Sequence, residues 1–279
     1  MKIILSRKGF DDSNGGQPSP ILPDGTMLSI PIPDNDSDTI ITYDDLCFEG
    51  KSYDELLRNL PRKKRPDYSK IKCHLDPDIR PNVRKKRIEN WKPAFGQTET
   101  SQGYLHNAGV TVGDLFLFFG WFYKTEFNNH GCLRYTCGYK DGLDFYDHSD
   151  LHIIFGYMQI GKILNDPEEI SKYFWHPHSS KYHLKSKNNT LYLPSDHLTL
   201  APEKPGFGTL KYDISRVLTL EGESRGIWKA YDFLMPDKII GQTRKNSAKG
   251  KGLYYAGIWQ ELVFEGTDEI INWILKNIL

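Results

Sequence analysis

The first loop of the chain carries the densest set of side chains that could bind an anion. It runs from Ser6 to Gly25 with the sequence SRKGFDDSNGGQPSPILPDG. Arg7 and Lys8 could hold a phosphate, because a guanidinium grips two phosphate oxygens at once and an ammonium adds a point charge. A plain connection between two strands needs far fewer residues than this loop has. These residues therefore favour a binding loop, and a polar surface loop is the alternative.

The same loop offers carboxylates and flexible backbone beside the two cations. Three carboxylates could hold a ribose hydroxyl, a base edge or a metal ion: Asp11, Asp12 and Asp24. Gly15 and Gly16 would let backbone N–H groups approach a ligand closely, and Ser19 adds a hydroxyl. The loop matches neither GxGxxG nor GxxxxGK[ST], so it is not a standard nucleotide-binding motif.

Two further segments combine imidazoles with carboxylates or with each other. In CHLDPD, His74 stands two residues before Asp76, a pair that could transfer a proton or bind a divalent metal. A turn at Asp76-Pro77 with an incidental histidine is the alternative. WHPHSSKYH, residues 175–183, is rich in histidine and could also hold a metal. The spacings match no zinc motif, so neither a metal-ligand set nor a cofactor is assigned.

Basic residues are concentrated in one part of the chain. Residues 58–92 hold 13 Lys or Arg and 4 Asp or Glu, a net charge of +9, although the whole chain is formally neutral. RKKR occurs twice there, and a second basic segment is GQTRKNSAKGKG. Four residues are candidates for contacts to a nucleic-acid backbone: Arg84, Arg87, Arg244 and Lys249. Solvated charge runs are the alternative.

The composition is that of a folded protein with a substantial core. The chain has 279 residues, 38% of them apolar, and no apolar run long enough to span a bilayer. MKIIL is too short for a signal peptide, and the four cysteines form no CxxC pair, so we expect free thiols and a cytoplasmic location without a membrane partner. The oligomeric state cannot be assigned.

Short strands and few helices are predicted to position these residues. Apolar runs predict strands at 2–5, 115–122 and 257–264, and one bent strand or a strand pair at 151–164. Capping patterns predict helices at 52–60, 166–174 and from Thr267 to the end. The stretch that begins with Ala94 reads as polar loop before the strand at 115–122. The pattern indicates an α+β, β-rich fold, either a curled sheet or a PUA-like small barrel with a few peripheral helices. We expect one domain over 1–279, with a possible subdivision into a loop-rich part, 1–95, and a β-rich part, 96–279.

Four segments together carry a resemblance that extends over nearly the whole chain. SRKGFDDSNGGQPSPILPDG, HLDPD, GVTVGDLFLFFGWF and HIIFGYMQIGKIL resemble the family called nucleotide modification associated domain, third type. The resemblance implies a link to base modification in nucleic acids and to phage–bacterium conflict, but not a particular reaction. The segment from Gly109 to Leu164 is more weakly similar to PUA-like barrels of the ASCH and EVE groups, which often hold a modified base. Its spacer, residues 121–151, is longer than in the compact pattern.

These observations predict a protein that acts on a nucleotide, DNA or RNA. In the first hypothesis it is an enzyme: Arg7 and Lys8 bind phosphate, Asp24 or Asp12 is the acid or base, and His74 with Asp76 is a second catalytic pair. Gln97, Gln102 and Trp121 complete the candidate nucleotide-binding set, since a base must leave its stack to be modified and then needs an aromatic pocket. The second hypothesis is a non-catalytic reader of modified bases, and the third is a metal-dependent nuclease or hydrolase.

Overall fold

The computed structural model describes residues 1–60, 67–241, 252–257 and 259–279. Over these residues the chain forms fifteen strands and five α-helices. The strands are β1 Lys2–Arg7, β2 Ser19–Ile21, β3 Ile32–Pro33, β4 Cys47–Phe48, β5 Lys51–Ser52, β6 Cys73–His74, β7 Phe95–Gln97, β8 Leu115–Phe127, β9 Leu133–Tyr135, β10 Leu151–Leu164, β11 Thr190–Pro194, β12 Phe207–Thr209, β13 Ile227–Trp228, β14 Leu253–Tyr254 and β15 Glu261–Glu265. The helices are α1 Tyr53–Asn59, α2 Glu99–Asn107, α3 Pro167–Ser171, α4 Lys181–Leu184 and α5 Asp268–Asn277.

One large sheet organises the molecule. Its strand order is β15-β1-β8-β10-β11-β7, with β2 and β9 paired to β8 and β12 paired to β10. The two long strands change partners along their length: β8 pairs with β1 at residues 115–119 and with β2 at residues 122–124. The sheet therefore curls into a half-barrel, which confirms the α+β, β-rich class and the curled sheet. The PUA-like barrel stays a prediction.

Both faces of the sheet are buried at its centre. Leu117 and Phe119 of β8 pack in one core cluster, whereas Phe116 and Phe118 pack in a second one. A strand that is covered on both faces reads as a continuous apolar run, which explains FLFF in the sequence. Helix α5 covers the first cluster with Ile270 and Ile274, and Ile278, which directly follows the helix, continues the same apolar face.

A third core cluster lies beside the sheet and is built almost entirely from residues 10–83. The rings of Phe10, Tyr43 and Tyr68 contact one another in it. This part of the chain also forms two-stranded sheets, β3 with β6 and β4 with β5, and Cys73 of β6 packs in the cluster. Strand β6 carries His74, so this part of the chain presents the HLDPD segment to the large sheet. The predicted subdivision after residue 95 would fall within β7.

The predicted helices are present, although one is shorter than expected. Ser52 caps α1 by accepting a hydrogen bond from the backbone N–H of Glu55 at 3.2 Å. Helix α3 ends at Ser171 rather than at residue 174. Helix α2 was not predicted: it is polar, contains Gly103, and buries only Gln102 and Leu105, so its sequence has no marked apolar face. Within the described ranges, no helix has the length and apolarity that crossing a bilayer requires.

Candidate active site

A cavity of about 280 Å³ lies where the opening loop meets the HLDPD segment, β7 and the start of α2. Its lining brings together six residues that the sequence singles out, the first five listed here and His74, with two histidines from the 175–183 segment: Arg7, Lys8, Asp11, Asp76, Gln97, His178 and His183. His74 also lines it. These residues come from segments that are far apart in the chain, so the cavity is a product of the tertiary fold. It is called the histidine cavity below.

Lys8 supplies a buried positive charge at the floor of the histidine cavity. It follows β1, and its backbone N–H donates to Phe119 O at 2.8 Å, which fixes the residue against β8. Its side chain is only 7% exposed; Nζ lies 3.5 Å from Glu261 Oε1 and 3.9 Å from Asp76 Oδ2. A buried ammonium is costly unless it is paired, and here two carboxylates compensate it.

Asp76 is one of these two carboxylates and is itself almost fully buried. Its Oδ1 accepts a hydrogen bond from the backbone N–H of Gly96 at 2.7 Å and lies 3.3 Å from His176 Nε2. Burial by itself would raise the pKa of Asp76, but His176 and the charge of Lys8 hold that pKa well below its ordinary value. Asp76 is therefore an ionised carboxylate, a hydrogen-bond acceptor or proton acceptor in the cavity floor.

Glu261 of β15 is the second carboxylate, and its surroundings push its pKa in the opposite direction. Oε1 accepts hydrogen bonds from Ser6 Oγ at 3.1 Å and from Gln97 Nε2 at 2.6 Å. Oε2 is buried and has no hydrogen-bond partner among the described residues. Burial raises the pKa of Glu261, and Lys8 offsets only part of that effect. The sequence prediction missed Glu261; the available signal was a single carboxylate inside the apolar strand ELVF.

Three imidazoles form one wall of the cavity. His74 lies on β6, His178 in a short 3-10 turn at Pro177–Ser179, and His183 on α4. One nitrogen of each ring lies within 4.8 Å of the corresponding nitrogens of the other two. Burial lowers the pKa of His178 and of His183, so both rings are neutral. Neutral imidazoles at this separation could hold a metal ion.

The start of α2 completes the cavity with backbone groups. Thr98, Glu99, Thr100 and Ser101 line it. Glu99 has a φ of +52°, and Asn188 holds it there by accepting from its N–H at 2.9 Å and donating to its carbonyl at 2.6 Å. A non-glycine residue in this conformation is strained and is held only where the surroundings fix it. The first N–H groups of a helix lack intrahelical partners, so this helix start favours an anion.

A second cavity of about 280 Å³ also borders the opening loop. Arg7 and Asp11 line both cavities, whereas Asp12 and Trp121 line only the second. Arg225 forms an ion pair with Asp12 and lies over the Trp121 ring at 4.1 Å. A larger cavity of about 790 Å³ shares Arg225 with the second one. The three cavities therefore follow one another along the surface.

The buried charged groups distinguish the histidine cavity from the largest one. Polar groups that line the 790 Å³ cavity include Arg134, which forms an ion pair with Glu126 at 2.9 Å, and both side chains are about half exposed. Surface pairs of this kind contribute little to stability. We therefore place the candidate active site in the smaller histidine cavity, which is lined by the buried Lys8 and Asp76 and has Glu261 in contact with Lys8.

Other predicted residues of the opening loop shape its turns. Asp11 Oδ1 accepts from the backbone N–H groups of Ser13 at 2.8 Å and of Asn14 at 2.7 Å, and Asp11 Oδ2 lies 3.5 Å from Arg7 Nη2. Gly15 and Gly16 have φ values of +85° and +61°. A Cβ at Gly15 would overlap the ring of Phe10, so that glycine is required by close packing as well as by its conformation.

Three predicted residues lie away from the histidine cavity. Asp24 accepts from Thr26 N at 2.9 Å and pairs with Lys211 at 3.1 Å, and it lines neither of the two 280 Å³ cavities. Ser19 Oγ accepts from Ile30 N at 3.0 Å in the buried interior. Gln102 Oε1 accepts from the hydroxyl of Tyr192 at 2.9 Å. These contacts hold the loop and α2 in place.

The residues predicted to contact a nucleic-acid backbone differ in their surroundings. Arg87 donates to both oxygens of Asp78 at 2.6 Å, and its guanidinium lies 4.1 Å from the centre of the Trp91 ring. Arg84 is half-buried beside a bridge to Leu46. Arg244, Lys249 and the first RKKR run, residues 62–65, lie outside the described residues. Most of the N–H groups of the Arg87 guanidinium are therefore already hydrogen-bonded within the protein.

Comparison with known proteins places the whole site within one family model. The model described as "Nucleotide modification associated domain 3" matches residues 2–265, a span that contains every residue lining the histidine cavity. Comparisons with curated proteins and with solved structures gave no match.

Proposed function

We propose, since the chain belongs to the nucleotide modification associated domain 3 family, that it is an enzyme that acts on a nucleotide or on a base in DNA or RNA. The histidine cavity would be its active site. The family name supports an association with nucleotide modification, and the geometry of the cavity supports the enzymatic role. All four cysteines are unpaired, which supports the further proposal that the protein works in a reducing compartment such as the cytoplasm.

One observation carries the proposal: two buried ionisable side chains, Lys8 and Asp76, line an open cavity, and a third, Glu261, contacts Lys8 from the protein interior. Lys8, Asp76 and Glu261 could be replaced by apolar residues of similar size with little loss of stability, because buried ion pairs are weak stabilisers. Packing therefore does not account for them. Ionisable groups with shifted pKa values in a cleft are instead typical of catalytic sites.

Phosphate binding is assigned to the rim of the cavity. Arg7 is partly exposed and lies beside the first turn of α2, which also lines the cavity. Its present partner is Asp11, at 3.5 Å, so a phosphate would compete with that carboxylate for the guanidinium. A helix start and an arginine together form a suitable anion site.

Acid and base roles are assigned to Asp76 and Glu261. Two carboxylates whose surroundings push their pKa values apart can serve as proton acceptor and proton donor in the same site. Asp76 is the acceptor, because His176 and Lys8 keep it ionised. Glu261 is the donor, because burial raises its pKa, and it reaches the cavity through its contacts with the lining residues Lys8 and Gln97. Asp24, the first choice from the sequence, is replaced in this role because it faces Thr26 and Lys211.

Arg7 and Asp11 also connect the site to the second cavity. A nucleotide whose phosphate binds Arg7 could place its base in either of these two cavities. The series of three cavities would further allow a strand of nucleic acid to pass Arg225 and Trp121 before it reaches the histidine cavity. The substrate is therefore either a free nucleotide or one nucleotide of a strand.

The test is nucleoside mass spectrometry on nucleotides and oligonucleotides incubated with the purified protein. We compare the wild type with Asp76→Asn and with Glu126→Gln, an exposed carboxylate on β8 that lines none of the three cavities. Wild type and Glu126→Gln should produce the same mass-shifted nucleoside, and Asp76→Asn should lower the rate about 100-fold or more, as expected for loss of a general base.

Binding assays separate this function from the reader hypothesis. Fluorescence anisotropy with labelled DNA and RNA, at low and at physiological salt, would show whether free nucleotides displace the strand. Binding that prefers a modified base, without any mass change, would support a reader. Absence of binding to nucleotides and to strands would contradict both functions.

A further inference from the structure

The imidazoles of His74, His178 and His183 form a cluster that the proposed acid–base roles do not use. Their three nitrogens lie within 4.8 Å of one another on one wall of the histidine cavity. The three residues come from β6, a 3-10 turn and α4, so neither local sequence nor one element explains their meeting. We propose that these three histidines bind one divalent transition-metal ion, with an open coordination position that faces the cavity.

The neighbours of two of the rings orient them as metal ligands. His74 Nδ1 lies 3.4 Å from Asp34 Oδ2, and the same oxygen accepts from Thr39 Oγ1 at 2.6 Å. Since an ionised carboxylate only accepts, His74 Nδ1 carries the proton and Nε2 keeps its lone pair. Metal-binding histidines are typically oriented by such an outer carboxylate or carbonyl.

His178 has an equivalent outer partner. Its Nδ1 lies 2.6 Å from Asn189 Oδ1, and Asn189 Nδ2 donates to His178 O at 2.9 Å. Because the amide nitrogen of Asn189 is used as a donor, its oxygen must accept from His178 Nδ1. The Nε2 lone pair of His178 is therefore free for a ligand, as in His74.

The third ring has an unsatisfied atom. His183 Nδ1 is buried and has no hydrogen-bond partner among the described residues. A buried polar atom without a partner costs about 1–3 kcal/mol. Coordination of a cation through Nδ1 would satisfy it. Simple stacking of His178 on His183, whose ring centres are 4.4 Å apart, is the alternative explanation for the cluster, but it leaves this atom without a partner.

The donor set selects the class of ion. Imidazole nitrogens suit Zn²⁺, Co²⁺, Ni²⁺ and related ions, whereas Mg²⁺ and Ca²⁺ prefer oxygen ligands. Three protein ligands with one open position are typical of catalytic rather than structural zinc sites. The inference deepens the proposed function, because the open position faces the same cavity, but it rests on the histidines alone and can be tested without a nucleotide.

The test uses untagged full-length protein from which metals have been removed with a chelator. Titration with Zn²⁺ is followed by calorimetry, and titration with Co²⁺ by its visible absorption. The wild type should bind one ion per chain. His183→Ala should lower the affinity about 100-fold or more, and Asn189→Ala should lower it about 10–100-fold, as expected for loss of a ligand and of an outer partner.

His106→Ala is the matched control, because His106 is exposed on α2 and lies outside the cluster. It should bind the ion as the wild type does, and circular dichroism checks that every variant is folded. Two results would overturn the proposal: a wild type that binds no stoichiometric ion, or a folded His183→Ala protein with unchanged affinity.

The metal and the nucleotide are assayed separately so that the two proposals can fail separately. If the protein binds nucleotides in the presence of chelator but binds no metal ion when the chelator is left out, the metal site is contradicted and the proposed function stands. Stoichiometric Zn²⁺ binding without any nucleotide binding would confirm the metal site and contradict the proposed function.

Discussion

Gly96 provides the sharpest test of the geometry at the candidate active site. It lies in β7, its N–H donates to Asp76 Oδ1 at 2.7 Å, and its α-carbon faces the ring of His178. A Cβ added at Gly96 would overlap two ring carbons of His178 and lie 2.6 Å from its Nε2. Since the strand holds Gly96 on one side, Gly96→Ala must displace the imidazole.

The size of the effect follows from how firmly His178 is held. The ring is buried, and its Nδ1 is 2.6 Å from Asn189 Oδ1, so it cannot turn away into solvent. Forcing a methyl group into a packed interior costs about 1–3 kcal/mol. Weakening the His178–Asn189 hydrogen bond adds about 1 kcal/mol. Gly96→Ala should therefore lower the free energy of unfolding by about 2–4 kcal/mol.

Gly103→Ala on α2 is the matched control. A Cβ at Gly103 would meet nothing within 4 Å, and alanine is favoured over glycine in a helix, so this change should stabilise the protein by about 0.5–1 kcal/mol. Urea unfolding followed by circular dichroism measures both changes. A Gly96→Ala protein within about 0.5 kcal/mol of the wild type would show that His178 does not pack against this strand, and would refute the arrangement of the cavity wall.

Two further predictions concern residues outside the histidine cavity. Burial, together with nearby arginine charges, lowers the pKa of His152, whose Nδ1 accepts from Trp228 Nε1 at 3.0 Å, so only the unfolded chain takes up that proton as the pH falls below about 6.5. This residue should therefore lower the free energy of unfolding of the wild type by up to about 1.4 kcal/mol per pH unit as the pH falls from 6.5 to 5. Urea unfolding of His152→Gln should show a correspondingly smaller dependence of that free energy on pH. An equal pH dependence in both proteins would contradict a neutral buried ring. Arg87→Lys should destabilise the protein by about 1–3 kcal/mol in the same assay, because lysine cannot form the two-pronged contact with Asp78 or the stack on Trp91. Unchanged stability with weakened oligonucleotide binding would instead support the backbone-contact role predicted from the sequence.

The sequence by itself predicted the elements whose signals are local. The apolar runs that became β8 and β10 are visible because both faces of the central sheet are covered. Ser52 and Thr267 occupy the N-cap positions of α1 and α5, because these residue types are preferred there. Ser52 accepts a capping hydrogen bond through its side chain, whereas Thr267 makes no such bond. Helix α2 was not predicted from the sequence, because its stability comes from its surroundings rather than from an apolar face.

The sequence also identified many of the groups at the candidate site, but not which of them act together. Arg7, Lys8 and Asp76 were predicted, and the structure brings them into one cavity. Glu261 was missed, although it lies 3.5 Å from Lys8, because the two residues are separated by almost the whole chain.

Only the tertiary structure distinguished one aspartate from another. Asp24 follows a proline and Asp76 precedes one, each in a polar segment. From the sequence, Asp24 was the first choice for the catalytic acid or base. Folding leaves Asp24 at the surface with Lys211, whereas it buries Asp76 between Lys8 and His176. The chemistry of a carboxylate depends on the charges and the solvent around it, and those are set by residues distant in the chain. For the same reason, the three histidines became a candidate metal site only once β6 met the turn and α4.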